Sequence, residues 1–396
     1  IRLPEGFHFA FSNQSAYQER IITRTFAPMT GTGSKEYVGK ASAPIIPSLQ
    51  GVYRKGKWAL SGSLAIVGGG GKATFNNGLP SFESEISVLP RVVEGFAPLL
   101  SSIVPGGTLT CDKYSVDAYM TGTNYIFGGQ IGGAYEINDM FSVYGGFRLN
   151  IVHNKYEGNL RNIMINPTSN VPGFGTGSMV LASEYFGGLA QHPSIPVQYQ
   201  ELLSALSRKA TDKYLDSKQS GWGVAPIIGA HFSYKGLNIG AKYEFKTALN
   251  VENKTTVDNT GKFGDGVNTA HDVPALLAVG VSYDILPQLT ANVGYHHFFD
   301  KDASMANDKQ KHLSGGTNEY LAGVEYRIND MFLVSAGGQI TRYGLGDEFQ
   351  SDLSFSVNSY SLGFGGAVNV SKNVQINVGY FFTDYSNYTK NSTNYN

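Results

Sequence analysis

YEINDMFSVYGGF, from Tyr135 to Phe147, nearly recurs as YRINDMFLVSAGG, from Tyr326 to Gly338. Each reads as a strand, a tight polar turn and a second strand. Looser versions of the pattern are RKGKWALSGS at Arg54, YKGLNIGAKY at Tyr234, YDILPQLTANVGY at Tyr283 and VNVSKNVQINVGY at Val368, which makes six short turns, each with an aromatic close by. The flanking segments alternate with period two. Phe7, Phe9 and Phe11 oppose His8, Ala10, Ser12 and Gln14; Leu237, Ile239, Ala241, Tyr243 and Phe245 oppose Asn238, Gly240, Lys242, Glu244 and Lys246; Leu289, Ala291, Val293 and Tyr295 oppose Thr290, Asn292 and His296. An apolar face backed by a small and polar one is the pattern of strands with lipid outside and a lumen inside.

The connections between these hairpins are long and polar: Phe26 to Lys35, Asn76 to Lys113, Ile163 to Ser220, Val251 to His271, Asp300 to Leu313 and Tyr343 to Gln350. Short turns at one end and long loops at the other predict an all-β fold, a transmembrane antiparallel β-barrel occupying 1–396 as one domain. One opening strand and six hairpins give about thirteen strands, and because single-chain bacterial barrels have even numbers, the expectation is about fourteen in the intact protein. YTKNSTNYN at the end reads as a loop, so a closing strand is expected beyond Asn396.

Composition agrees. Gly 49, Tyr 24 and Phe 23 against 15% charged residues describe turns and β-favouring aromatics with few solvating charges. No run of about 18 uninterrupted apolar residues occurs, so no helix of that kind crosses a membrane. The mean hydropathy is -0.16, and a net charge of -1 offers no basic field for nucleic acid. Cys111 has no second cysteine for a disulfide or a thiolate metal site, and it reads as structural. IVGGGGKA is not a phosphate-binding loop, since Ile66 stands where the first glycine belongs and Ala73 where Ser or Thr belongs. No Gly-x-Ser-x-Gly is present, the eight histidines lack metal-ligand spacing, and His296 and His297 fall on opposite faces. No catalytic residue, metal or cofactor is expected, and the chain is not read as an enzyme.

Ile66 to Gly71, IVGGGG, ends a strand that begins at Trp58. Glycine there gives up side-chain packing and weakens the ladder, which marks a bulge, a bend or a loop tip. As an interruption of a barrel wall, Gly68, Gly69, Gly70 and Gly71 are candidates for a lateral opening.

Two long loops, 76–113 and 163–220, carry helical periodicity. From Val197 to Leu215, Tyr199, Leu202, Leu203, Leu206, Ala210 and Tyr214 share a face; from Ile86 to Val104, so do Leu89, Val92, Val93, Phe96, Leu99, Leu100 and Ile103, interrupted by Pro90 and Pro98 into two expected pieces. These faces either pack on one another as a lid or form an apolar groove for a greasy ligand.

With EGFHFAFSNQ at Glu5, KASAPIIPS at Lys40, GGGGKATFNNGLPSFE from Gly68, the helical inserts and the six-turn layout, the chain resembles the FadL/TodX outer-membrane transporters for long-chain fatty acids and hydrocarbons, in their Bacteroidetes form. The resemblance implies a fourteen-stranded barrel in the outer membrane of a Gram-negative cell, plugged by an amino-terminal hatch and opened sideways at a kink in the third strand, here Lys57 to Phe75. The family's Asn-Pro-Ala hatch motif is absent from the start of this sequence, Asn166-Pro167-Thr168 lying in a loop, and the closing strand is absent too. The expected role is passive transport by a monomer in contact with outer-membrane lipid and lipopolysaccharide. Alternatives are a scaffold for a secretion or surface-assembly system and a general porin.

Alternation turns Gln130, Arg148, Asn150, His231, Lys242, Glu244, Lys246, His296, Glu325, Arg327, Gln339 and Gln375 toward the lumen. A fatty-acid carboxylate would need a cation, and Arg148 is the first candidate receiver, with Lys242 second. A neutral hydrocarbon needs neither. Phe96, Leu99, Leu100, Leu202, Leu203 and Leu206 are the candidate contacts for its apolar body.

Overall fold

A computed structural model describes residues 3–25 and 34–390. Thirteen long strands follow one another: β1 (Gly6–Thr25), β2 (Ser34–Lys55), β3 (Trp58–Phe75), β4 (Tyr114–Glu136), β5 (Phe141–Ile165), β6 (Lys213–Tyr234), β7 (Leu237–Glu244), β8 (Leu276–Leu286), β9 (Leu289–Phe298), β10 (Thr317–Arg327), β11 (Phe332–Arg342), β12 (Ser359–Ser371) and β13 (Val374–Tyr385). Each pairs antiparallel with the next, an unbroken meander from β1 to β13. A short strand, Asn250–Asp258, continues the path of β7 by pairing with the loop end of β6. The expected loop from Phe26 to Lys35 lies almost wholly outside the described residues, as do the last six residues of the expected terminal loop.

The repeated INDMF segment closes its two turns identically. Asn138 Oδ1 accepts the backbone N–H groups of Met140 and Phe141, both at 2.9 Å, and Asn329 Oδ1 accepts those of Met331 and Phe332, both at 2.9 Å. An asparagine that satisfies two turn donors with its own side chain fixes the hairpin and its register locally. Ring pairs gather at this end, Trp58 against Tyr135 at 4.6 Å between centroids and Phe141 against Phe232 at 4.9 Å.

The outer face is apolar and uncovered. Phe9 is 77% exposed, Trp222 69% and Tyr380 73%, in company with Leu64, Ile131, Phe147 and Val293. A soluble sheet would hide such a belt, whereas a lipid-facing one presents it. On the other face, Asn150, Val152, Asn154, Ser217, Ala225 and Ile227 are buried.

The loop after β3 holds three helices, α1 (Pro80–Ser87), α2 (Leu89–Glu94) and α3 (Ala97–Ile103), and the loop after β5 holds α4 (Ala182–Ala190) and α5 (Val197–Lys209). The two pieces expected within Ile86 to Val104 are α2 and α3, each with its proline in the first two helical positions, where the missing N–H has no partner to lose. The expected helix from Val197 to Leu215 stops at Lys209, because Lys213 onward is claimed by β6. The pattern did not reveal α4, whose centre carries Gly187 and Gly188.

Candidate functional site

The β2–β3 ladder is interrupted at the glycine run. It proceeds from Lys55↔Trp58 to Ser48↔Ala65 and resumes only at Ser42↔Lys72, so Ala43–Pro47 faces Ile66–Gly71 without pairing. On its other side β3 stays with β4 only by slipping twice, through Ile66↔Phe127, Gly68↔Ile126 and Gly71↔Asn124. Two features cause the gap. Pro47, at the break, has no N–H to offer β3, and Pro44 turns its carbonyl to β1 instead. Gly69 and Gly71 have φ of 95° and 71°, values closed to ordinary side chains in a strand. A Cβ at Gly69 would lie 2.3 Å from Asn124 O, and one at Gly71 2.5 Å from Ser42 O, so only glycine fits. The interruption reaches β1, where the pairing with β2 shifts between Gln14 and Ala16 and Ser15 Oγ donates to Pro44 O at 2.7 Å.

The lumenal polar cluster lies beside this gap. Val67 and the Arg148 side chain flank Gly128, where a Cβ would be 2.6 Å from Val67 Cγ1 and 3.3 Å from Arg148 Cδ. Arg148 Nη1 donates to Glu244 Oε1 at 2.7 Å and its Nη2 to Gln130 Oε1 at 2.7 Å, while Gln130 Nε2 donates to Tyr144 Oη at 2.9 Å. Lys242 Nζ reaches the other oxygen of Glu244 at 3.3 Å. Both candidate cations are therefore brought together, but on a carboxylate of the protein's own. Glu244, which alternation turns inward beside Lys242, occupies the guanidinium and leaves the cluster with one net positive charge. Toward the short-turn end the lumen opens into a cavity of ≈ 570 Å³ that Tyr144, His231, Lys242, His296 and Leu321 help to line. His296 Nδ1 meets Glu319 Oε2 at 2.9 Å inside, and His297 Nδ1 meets Asn318 Oδ1 at 2.9 Å on the opposite face.

The loop helices form one apolar core over the barrel mouth. Ile86, Leu89, Val93 and Leu100 from the first loop pack with Phe174, Phe186, Leu189 and Leu203 from the second. Phe96, Leu99, Leu100 and Leu203 line the seam between them, and Leu206 packs against the same core. The seam holds ≈ 10 Å³, room for about one water, so the expected groove is closed in this conformation. Leu202 departs from the expectation: it is 50% exposed, whereas Leu203 is fully buried, because α5 turns only Leu203 and its neighbours inward. Cys111 sits in this core with Sγ 3.5 Å from Asn166 Oδ1, and burial pushes its thiol up to about 11.

Glu83, on α1, was not anticipated. Its buried carboxylate accepts Tyr37 Oη at 2.7 Å from β2, Tyr114 Oη at 3.0 Å from β4 and Lys35 Nζ at 2.5 Å. Across the mouth, Asp352 Oδ2 accepts the N–H of Ser81 at 2.6 Å, capping α1 from a loop 271 residues away. The helix above the gap is thus fastened to both strands flanking β3 and to the far wall. The only sequence signal was an acidic residue in the first turn of a proline-started helix.

No family model matches the sequence, and no curated protein matches it. Solved structures do match nearly its whole length. A Pseudomonas aeruginosa FadL homologue is 12% identical, with 96% of this chain and 81% of that chain covered and a TM-score of 0.56. The Pseudomonas putida toluene transporter TodX is 14% identical, with 96% and 84% covered and a TM-score of 0.54. The CymD monoaromatic hydrocarbon channel is 14% identical, with 97% and 85% covered and a TM-score of 0.51. The chain has the FadL-type β-barrel fold. At such identities the likeness extends to the fold alone.

Proposed function

We propose that the protein is an outer-membrane channel of the FadL/TodX kind, in a Gram-negative bacterium, that passes hydrophobic small molecules passively through its wall. One observation carries the reading: the β2–β3 ladder breaks where Ala43–Pro47 faces Ile66–Gly71, beside the lumen, and β3 keeps β4 on its other side only by slipping twice. When the loop helices part, cargo enters through the apolar seam between them, passes the lumen near Arg148 and leaves sideways into lipid through the gap. Burying about a dozen methylenes in such a path is worth roughly 10 kcal/mol, so capture is easy and release is the harder step. A sideways exit spares the cargo a return to water, and no energy-coupling element is needed. The long loops, 76–113 and 163–220, face the outside of the cell.

The pairing of Arg148 with Glu244 favours a neutral cargo, because a fatty-acid carboxylate would have to displace Glu244. The descriptions of TodX as a toluene transporter and of CymD as a monoaromatic hydrocarbon channel point the same way. The test is uptake of radiolabelled toluene and oleate by cells carrying the protein and by cells lacking it. Faster toluene entry, with little ion conductance in planar bilayers, supports the reading. A wide, steady conductance for polar solutes with no gain in toluene entry refutes it.

A further inference from the structure

We infer that a row of lysines on the outer face of the barrel binds the phosphates of an anionic lipid headgroup in the outer leaflet; this rests on the membrane-spanning reading above. Lys72 pairs with Thr123, Thr123 with Lys155, Lys155 with Lys218, and Lys218 with Lys254, so one rung crosses β3, β4, β5, β6 and the strand Asn250–Asp258. Directly opposed residues share a face. Asn154 and Asn253, next along their strands, are buried inside, which turns Lys155 and Lys254 outward.

The two sides of this rung differ in kind. Inside, Asn154 Nδ2 donates to Gln219 Oε1 at 3.2 Å and Gln219 Nε2 to Asn253 Oδ1 at 2.9 Å, a ladder of uncharged amides. Outside, Lys155, Lys218 and Lys254 stand directly opposite one another, an arrangement that like charges oppose. Lys155 meets Glu157 at 2.7 Å, while Lys72, Lys218 and Lys254 have no ion pair among the described residues. Other acids on this face are Asp216, opposite Glu157, and Glu252, two residues before Lys254. Guarding a sheet edge does not account for the row, because β3, β5 and β6 are paired on both sides.

Depth supplies the rest of the argument. Two rungs toward the short turns the same face becomes the apolar belt, with Phe127, Ile151 and Trp222 side by side. Ammonium groups just above such a belt stand at the level of lipid headgroups. From Lys155 to Lys254 the row spans two strand spacings, about 10 Å, which suits a headgroup carrying more than one phosphate. Lys72 begins the row immediately beyond the glycine run, so a lipid held there stands beside the gap.

The test uses the whole protein in nanodiscs containing either a diphosphorylated lipid A glycolipid or its dephosphorylated form, with retention after detergent extraction read by native mass spectrometry. The wild-type protein is expected to retain the phosphorylated form roughly tenfold more. A variant with Lys72, Lys155, Lys218 and Lys254 all replaced by Gln loses that preference, and Lys301→Gln, elsewhere on the surface, keeps it. Lys218→Gln alone should raise the unfolding temperature in zwitterionic detergent and lower it, relative to wild type, with the glycolipid present; this readout serves even where the fourfold variant does not fold. Equal retention by a folded fourfold variant overturns the inference, and so does complete displacement by millimolar inorganic phosphate, which assigns the row to free phosphate. A wild-type protein that fails to enter the bilayer overturns the membrane reading itself.

Discussion

Two glycine-rich parts of the wall behave oppositely. In β11 and β12, Gly337, Gly338, Gly363, Gly365 and Gly366 stay in strict register, from Phe332↔Val368 to Thr341↔Ser359 without a slip. In β3, Gly68–Gly71 loses its partner on one side and slips twice on the other. Glycine content therefore does not open a sheet. The difference is conformational and comes from across the ladder: Gly69 and Gly71 have positive φ and those of β11 and β12 do not, and the strand facing the gap carries Pro44 and Pro47. A gap needs residues that can leave the extended conformation on one strand and a missing donor on its neighbour.

The largest effect is expected from Gly69→Val combined with Gly70→Val. A β-branched residue cannot hold φ near 95°, so β3 straightens and regains ladder bonds worth about 1 kcal/mol each, and toluene uptake falls about tenfold or more. Heat-modifiable mobility in gels should show the barrel still folded; undiminished uptake returns the run to a harmless bulge. Next is Arg148→Gln, which leaves Glu244 with Lys242 as its remaining cation. Loss of about 3 kcal/mol of unfolding free energy is expected, with toluene uptake retained. A selective loss of oleate entry would instead return the cluster to carboxylate binding. Pro47→Val restores a donor to β2 at the gap. Amide exchange around Ile66 should slow and uptake fall severalfold, and unchanged exchange would leave the glycines as the sole cause. The smallest effect belongs to the intact wall: at Gly363→Ala the new methyl meets Phe381 Cβ at 3.5 Å, ordinary contact, so stability shifts by less than about 1 kcal/mol and uptake does not change. A loss of uptake there as large as at Gly69 would dissolve the comparison.

What could be read along the chain was local. The INDMF turns, the alternation of Phe7, Phe9 and Phe11 with polar residues, and the prolines that start α2 and α3 act within a few residues, and each placed its element. The glycine run was visible as an anomaly, but Pro44 and Pro47, which make it a gap, became meaningful only once β2 was known to lie opposite. In the loop helices periodicity chose the buried face correctly for Leu203 and missed Leu202, since a stripe of leucines does not say which of two neighbours the partner helix covers.

The sequence by itself determined a meander of amphipathic strands with short turns at one end and helical loops at the other, because hairpin closure and period-two burial are short-range effects. The tertiary structure alone decided the charges and the lid. Arg148 meets Glu244 across 96 positions and Ser81 meets Asp352 across 271, and the loop helices shut their seam on one another. Closing a sheet around a lumen brings together strands far apart in the chain, and no pattern along the chain encodes which carboxylate a guanidinium will find there.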